Sequence, residues 1–205
     1  MKTYPSITRS PRRRKSPVPL HLFDKIDGSN LRFEWSSRTG WTRFGTRRRV
    51  IDPSDPVFGG AMGLFQETFA DPIAAVASAQ GWDALVAFGE FWGESSLGGQ
   101  HASDEPHQIV LFDVAPFRRG FVGPQRFMDL FGHLPIPRYL GEHAWDDALI
   151  DRVRRDDLPG VTCEGVVGKS GDGHRTVMAK AKTQRWIDKI LARYGEEVGR
   201  ELVLS

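Results

Sequence analysis

Leu31, Phe33 and Trp35 alternate along residues 30–36, immediately after an Asp27-Gly28-Ser29 turn. A period of two places the three apolar side chains on one face of a strand; on a helix they would scatter. Asp-Gly is turn chemistry, so residues 20–25 and 30–36 read as two strands about that turn. Arg38-Thr39-Gly40 marks a further turn, leading to a strand over about residues 41–50.

The same reading carried along the chain predicts helices over 57–69 and 72–80, and apolar, aromatic strands over 84–92 and 108–114. Helical spacing returns over 123–131 and 145–154. Segments 162–168 and 175–182 bracket Ser170-Gly171-Asp172-Gly173, which is hairpin chemistry. Residues 186–204 predict an amphipathic helix with Trp186, Ile187, Ile190, Leu191 and Tyr194 on one face. Hairpins with interspersed helices, and no regular βαβ units, predict an α+β fold.

The 205 residues suffice for one domain with a substantial core. No apolar run approaches the roughly 18 residues of a membrane span, and the basic N-terminus lacks the apolar stretch of a secretory signal. One cysteine, Cys163, excludes an internal disulfide and fits a reducing cytoplasm. Lys2, Arg9, Arg12, Arg13, Arg14 and Lys15 occupy the first fifteen positions without an acid, so the rest of the chain holds more acidic than basic residues. Prolines at 5, 11, 17 and 19 keep this stretch extended. The expected organisation is a basic arm over 1–19, suited to a phosphate backbone or simply solvated, followed by a domain over 20–205.

Lys25 stands two residues before Asp27. A lysine at its ordinary pKa of about 10.4 is a poor nucleophile at neutral pH and needs burial or neighbouring cations for activation. A strand over residues 177–182 puts Lys180 and Lys182 on one face, suited either to a polyphosphate or to protecting a sheet edge. Glu164 lies in an apolar run and needs a partner, either a metal-bound phosphate or a salt bridge. Glu90, among aromatics in Phe88-Gly89-Glu90-Phe91-Trp92, could bind ribose hydroxyls. Phe112 is a core ring or a base-stacking platform, and Arg47, Arg48 and Arg49 are phosphate-competent or a solvated edge. Gly165-Val166-Val167-Gly168-Lys169-Ser170 is not a P-loop, because Cys163 stands where its first glycine belongs. Histidines 21, 101, 107, 133, 143 and 174 never fall at metal-ligand spacing.

The order of these elements resembles the motif set of the covalent nucleotidyltransferases. It runs Lys25-Ile26-Asp27-Gly28-Ser29-Asn30, Arg47, Phe88-Gly89-Glu90, Phe112-Asp113, Glu164-Gly165-Val166-Val167 and Lys180-Ala181-Lys182. Within that superfamily it is most similar to the RNA ligase family, especially its nick-sealing branch. Asn30, the FGE-x-x-G form of residues 88–93 and the opening Tyr4-Pro5-Ser6-Ile7 carry that likeness, which extends over about residues 4–190.

The resemblance implies a nucleotidyltransferase domain of mainly antiparallel sheets with flanking helices. Lys25 would attack the ATP α-phosphate and carry AMP as a phosphoramidate, with Asp27 and Asn30 also binding nucleotide. Arg47 best matches the family arginine, with Arg48 the alternative register. Glu90 would hold ribose, Phe112 would stack on adenine, and Glu164 would bind Mg²⁺ or Mn²⁺. Lys180 and Lys182 would hold phosphates and help keep Lys25 deprotonated. AMP would pass to an RNA 5′-phosphate and a 3′-hydroxyl would displace it, at RNA ends or a nicked duplex. Only a helix-sized tail follows Lys182, so no OB-fold domain is expected, and a protein partner or the arm would substitute. Only 24 residues precede Lys25, which favours ATP over NAD. The alternatives are a minimal ATP-dependent DNA ligase, disfavoured by Phe23 where DNA ligases carry glutamate, and a non-catalytic nucleic-acid-binding relative.

Overall fold

The computed structural model describes residues 3–7, 19–94, 101 and 104–204. Lys2, Arg9, Arg12, Arg13, Arg14 and Lys15, and with them most of the expected arm, lie outside the described residues. The chain forms two compact units. One comprises Met1–Tyr4, Gly28–Ile136 and Asp172–Thr176; the other comprises Pro5–Asp27, Pro137–Gly171 and Val177–Ser205.

In the first unit β2 (Ser29–Ser36), β3 (Gly40–Thr46), β4 (Ala84–Trp92) and β5 (Gln108–Pro116) form an antiparallel sheet in the order β3-β2-β4-β5. The alternation along residues 30–36 is realised: Leu31, Phe33 and Trp35 are buried on one face. They pack with α1 (Gly59–Phe65), the π-helical turn Gln66–Ala70, α2 (Asp71–Ala79) and α3 (Pro124–Phe131). Phe33 stacks on Phe65 with ring centroids 3.7 Å apart. A fully buried ring of this kind contributes about 1.5–3 kcal/mol. The two helices expected over 57–69 and 72–80 form one helical run through the π turn. Pro72 has no N–H to bond the preceding turn, and a widened π turn absorbs that loss.

The strand expected as far as residue 50 ends at Thr46. The Thr46 hydroxyl accepts hydrogen bonds from the Arg48 and Arg49 N–H groups at 3.2 and 3.1 Å. This offers the backbone a turn in place of the ladder, so Arg47, Arg48 and Arg49 stand on that turn.

In the second unit β1 (Pro19–Lys25), β6 (Tyr139–Ala144), β7 (Gly165–Ser170) and β8 (Val177–Lys182) form an antiparallel sheet in the order β6-β1-β7-β8. Leu20, Leu22, Val166, Ala179 and Ala181 pack against Trp145 and against Leu149 and Val153 of α4 (Asp147–Arg154). The sequence gives no sign of β6, whose Gly141 has φ +98° and whose residues do not alternate. The helix α5 (Gln184–Leu204) is broken at Gly195, with φ +77°. Beyond the break Gly199 lies against Leu191, and Val203 joins Trp186 and Ile190 in one cluster.

Glu164 is not inside a strand, as residues 162–168 had suggested; β7 begins one residue later. Two features hold it out. Thr162 donates its N–H and hydroxyl to the buried carboxylate of Asp24, at 3.0 and 2.6 Å. Gly165 adopts φ +147°, and a Cβ there would stand 2.0 Å from the Ala181 carbonyl oxygen. Gly165→Ala is therefore expected to destabilise the protein by about 2–3 kcal/mol. Urea denaturation provides the measurement.

Candidate active site

Lys25 is the last residue of β1 and pairs with Gly165 of β7, which in turn pairs with Lys182 of β8. Cross-strand partners share a face, so the two lysines flank a residue with no side chain, and Glu164 reaches between them. Its Oε2 accepts from Lys25 Nζ at 2.6 Å and its Oε1 lies 2.9 Å from Lys182 Nζ. Side-chain exposure is 5% for Glu164 and for Lys182 and 21% for Lys25, so the nucleophile candidate is the cation open to solvent. Lys182 also donates to the Leu202 carbonyl at 3.3 Å and lies 4.2 Å from the Trp186 ring centroid.

Burial opposes ionisation of Glu164 more than any other single influence. The charges and hydrogen bonds of Lys25 and Lys182 together outweigh it and hold the carboxyl below its usual range. Burial pushes Lys182 below the ordinary lysine range; the charge of Lys25 adds to that and Glu164 opposes it. Lys180 shares the Lys182 face and is also buried, at 4% exposure. β8 is an edge strand, but these lysines do not protect it as solvated charges.

Three neighbours refine the picture. Asp27 is buried in the same unit. Burial raises the Asp24 carboxyl above its usual range, against the two Thr162 hydrogen bonds that lower it; it is an anchor for the 162–164 segment that sequence reasoning missed. The Cys163 thiol is pushed up to about 12 by burial, then by the charges of Asp27 and Glu164. A thiol held protonated is inert at neutral pH.

The first unit carries the aromatic and carboxylate candidates. Asn30 of β2 pairs with Glu90 of β4. Gly28 lets the chain approach that strand, since a Cβ there would lie 2.6 Å from the Phe91 carbonyl oxygen and 3.1 Å from Glu90 Cγ. Phe112 sits at a register shift in the β4–β5 ladder, where a bulge re-aims a side chain, and it is half-buried. Arg47 is exposed on its turn.

Two residues here were not among the site residues expected from the sequence. Tyr4 is 5% exposed. Its ring meets Phe112, Phe88 and Phe121 edge-on at 5.0, 5.1 and 5.4 Å, and its hydroxyl donates to Asp113 Oδ2. Burial, then Asp113 and Glu90, raise that phenol well above its usual range, against a lowering by Arg47. Arg32 is 6% exposed, on the face opposite the apolar core, and its Nε and Nη1 have no hydrogen-bond partner among the described residues. Its pairing partner on β3 is Gly45, and a Cβ there would stand 3.2 Å from Arg32 Nε. An arginine between Leu31 and Phe33 offers no local signal beyond polarity.

No group of three His, Cys, Asp or Glu side chains among the described residues could hold a metal ion. Glu164 offers a single carboxylate already in contact with two lysines. This fits a divalent ion that arrives with a nucleotide and takes most of its oxygen ligands from phosphates and water, as Mg²⁺ does.

The two antiparallel sheets with these helices make the nucleotidyltransferase fold of polynucleotide ligases. An archaeal ATP-dependent RNA ligase aligns at TM-score 0.67 and 19% identity, over 94% of this chain and 51% of that one. A mutant Naegleria gruberi RNA ligase with ATP and Mn aligns at 0.63 and 15%, over 85% and 52%. A putative ATP-dependent DNA ligase from Aquifex aeolicus aligns at 0.62 and 20%, over 100% and 58%. The chain thus spans little more than half the length of these proteins. No curated protein matches it. The sequence pattern of the RNA ligase family matches residues 19–185, and the chain belongs to that family.

The depressed pKa of Glu164 fixes a pH dependence. Its contribution to stability is full above the ordinary value of 4.5 and is lost as pH falls through the lower folded value. Glu164→Gln is expected to cost about 3 kcal/mol at neutral pH. The gap to wild type should close under acid, as read by urea unfolding across a pH series. Arg32→Met removes a buried charge with unsatisfied donors, so its melting temperature is expected to equal or exceed that of wild type.

Proposed function

We propose that the chain is an ATP-dependent RNA ligase that adenylylates itself on Lys25 and transfers the AMP to an RNA 5′-phosphate. The observation that carries this reading is the Lys25–Glu164–Lys182 cluster in a chain of the RNA ligase family. Lys25 Nζ, once its proton is lost, attacks the α-phosphorus of ATP; an N–P bond forms, and the bond to the bridging oxygen breaks with release of pyrophosphate. The 5′-phosphate then displaces Nζ, and a 3′-hydroxyl displaces AMP to close the strand.

Lys180 and Lys182 hold the phosphates in this reading, and their charge favours the neutral amine at Lys25. Asp27, Asn30 and Arg47 bind nucleotide, Glu90 holds the ribose and Phe112 stacks on the base. Glu164 would contact Mg²⁺ or Mn²⁺ carried in with the nucleotide, and the metal would supply charge neutralisation on the transferring phosphoryl group. The domain is taken to run over 20–205 behind the basic arm of 1–19. RNA ends or a nicked duplex are the substrates, and a protein partner supplements the domain in gripping them. No helix among the described residues is long and apolar enough to cross a membrane, and a cytoplasmic site of action fits the single cysteine.

Incubation with α-labelled ATP and Mg²⁺ or Mn²⁺ is expected to give a covalent adduct on the wild-type chain and none on Lys25→Ala. Absence of any adduct across divalent metals would sink the proposal. A DNA-ligase reading is favoured by one observation, the alignment of the whole chain with the putative Aquifex aeolicus DNA ligase. Nicked duplexes with ribose or deoxyribose on the 3′-hydroxyl side separate the two readings. Preferential sealing of the all-DNA nick would transfer the assignment.

A further inference from the structure

Two surface turns of the first unit are locked together and present cations that form no ion pair among the described residues. After β5, Phe117-Arg118-Arg119 turn outward, closed by the Arg119 N–H on the Pro116 carbonyl at 3.1 Å. The segment Asp172–Thr176 crosses this turn. Phe121 and Gly173 exchange both backbone hydrogen bonds, at 3.2 and 2.8 Å. At the crossing a Cβ on Gly120 would stand 2.2 Å from the Gly173 carbonyl carbon, so only glycine permits the approach. The His174 Nε2 hydrogen-bonds the Arg118 carbonyl at 3.0 Å, and the Thr176 hydroxyl donates to the Gly173 carbonyl at 2.9 Å.

The outward side has an uncommon composition. Phe117 is 65% exposed, with the Arg118 guanidinium 5.0 Å from its ring centroid. Arg119, His174 and Arg175 are exposed beside it. None of Arg118, Arg119 and Arg175 forms an ion pair among the described residues. Asp172, the nearest acid in sequence, is turned to other work, its Oδ1 accepting from the Gly123 N–H at 2.7 Å. Arg118 holds φ +60°, a conformation that costs a non-glycine residue about 1 kcal/mol. A left-handed Arg118 backbone, an exposed ring and three exposed arginines thus meet on one braced platform.

We propose that these crossed turns are a docking surface for a nucleic-acid strand, with a base stacked on Phe117 and backbone phosphates on Arg118, Arg119 and Arg175. A ring with guanidinium groups around it matches a polyanion that carries flat bases; an acidic peptide would use the cations and leave Phe117 in water. The proposal deepens the RNA-ligase reading by giving its nucleic-acid substrate a landing surface outside the nucleotide site, and it rests on that reading for the choice of RNA as probe.

The test is fluorescence anisotropy of a labelled single-stranded 12-nucleotide RNA with the full chain over a salt series. Phe117→Ala is expected to weaken binding about 5- to 100-fold, the loss of one stacked base. The triple variant Arg118→Gln/Arg119→Gln/Arg175→Gln is expected to reduce the slope of log affinity against log salt by about 2. All four positions are exposed, so melting temperatures and self-adenylylation without RNA should stay at wild-type levels. Unchanged affinity in Phe117→Ala, or an unchanged salt slope in the triple variant, overturns the proposal. A polyglutamate peptide that binds as tightly as the RNA and loses as much with Phe117→Ala overturns the choice of partner. Weakened RNA binding in these variants, together with a wild-type chain that binds RNA but forms no adenylate, would refute the ligase reading and leave the surface standing.

Discussion

A buried carboxylate between two ammonium groups governs the chemistry of the second sheet. Alone, Glu164 at this depth would favour its neutral form; with Lys25 on one oxygen and Lys182 on the other it stays ionised. The dependence is mutual, because Lys182 is as deeply buried and has its charge balanced by the same group. What the sheet supplies is convergence. Two lysines on strands separated by a third meet over a glycine, and the acid enters from just outside the ladder. Any side chain at Gly165 would push the strands apart where the three groups meet.

Glycine plays a comparable part in the first unit. At Gly28 the backbone lies against β4 near Glu90, which gives the glycine of the Lys25 motif a reason in packing. Its φ does not require a glycine there, since Gly28 is not among the positive-φ residues. The boundary between the two units falls between Asp27 and Gly28, so one short motif contributes its lysine to one unit and its asparagine to the other.

Much of this was legible in the sequence, for physical reasons that differ by residue. The period of two placed Lys180 with Lys182 and buried Leu31, Phe33 and Trp35, because strand geometry is local. The need of Glu164 for a partner was legible from its apolar neighbours, but the partner's identity was not, since Lys25 lies 139 residues away along the chain. Tyr4 sits in a proline-containing stretch without periodicity, and only tertiary packing reveals that its ring closes over Phe112 and Phe88. The Asp24–Thr162 anchor links residues 138 apart and displaced β7 by three residues from the expected start. Thr46 ended a strand that composition alone would extend, because one hydroxyl competed with the ladder.

The reversal at Gly195 gives the end of the chain a place in the chemistry. Leu202 lends Lys182 a main-chain carbonyl, an acceptor that no substitution of the Leu202 side chain can remove. Val203 holds that carbonyl in register by packing on Trp186 and Ile190. The last helical turn is therefore an electrostatic component of the lysine's environment: what decides its contribution is the path of the backbone, and sequence drift at Leu202 can leave it intact while a single lost anchor at Val203 cannot.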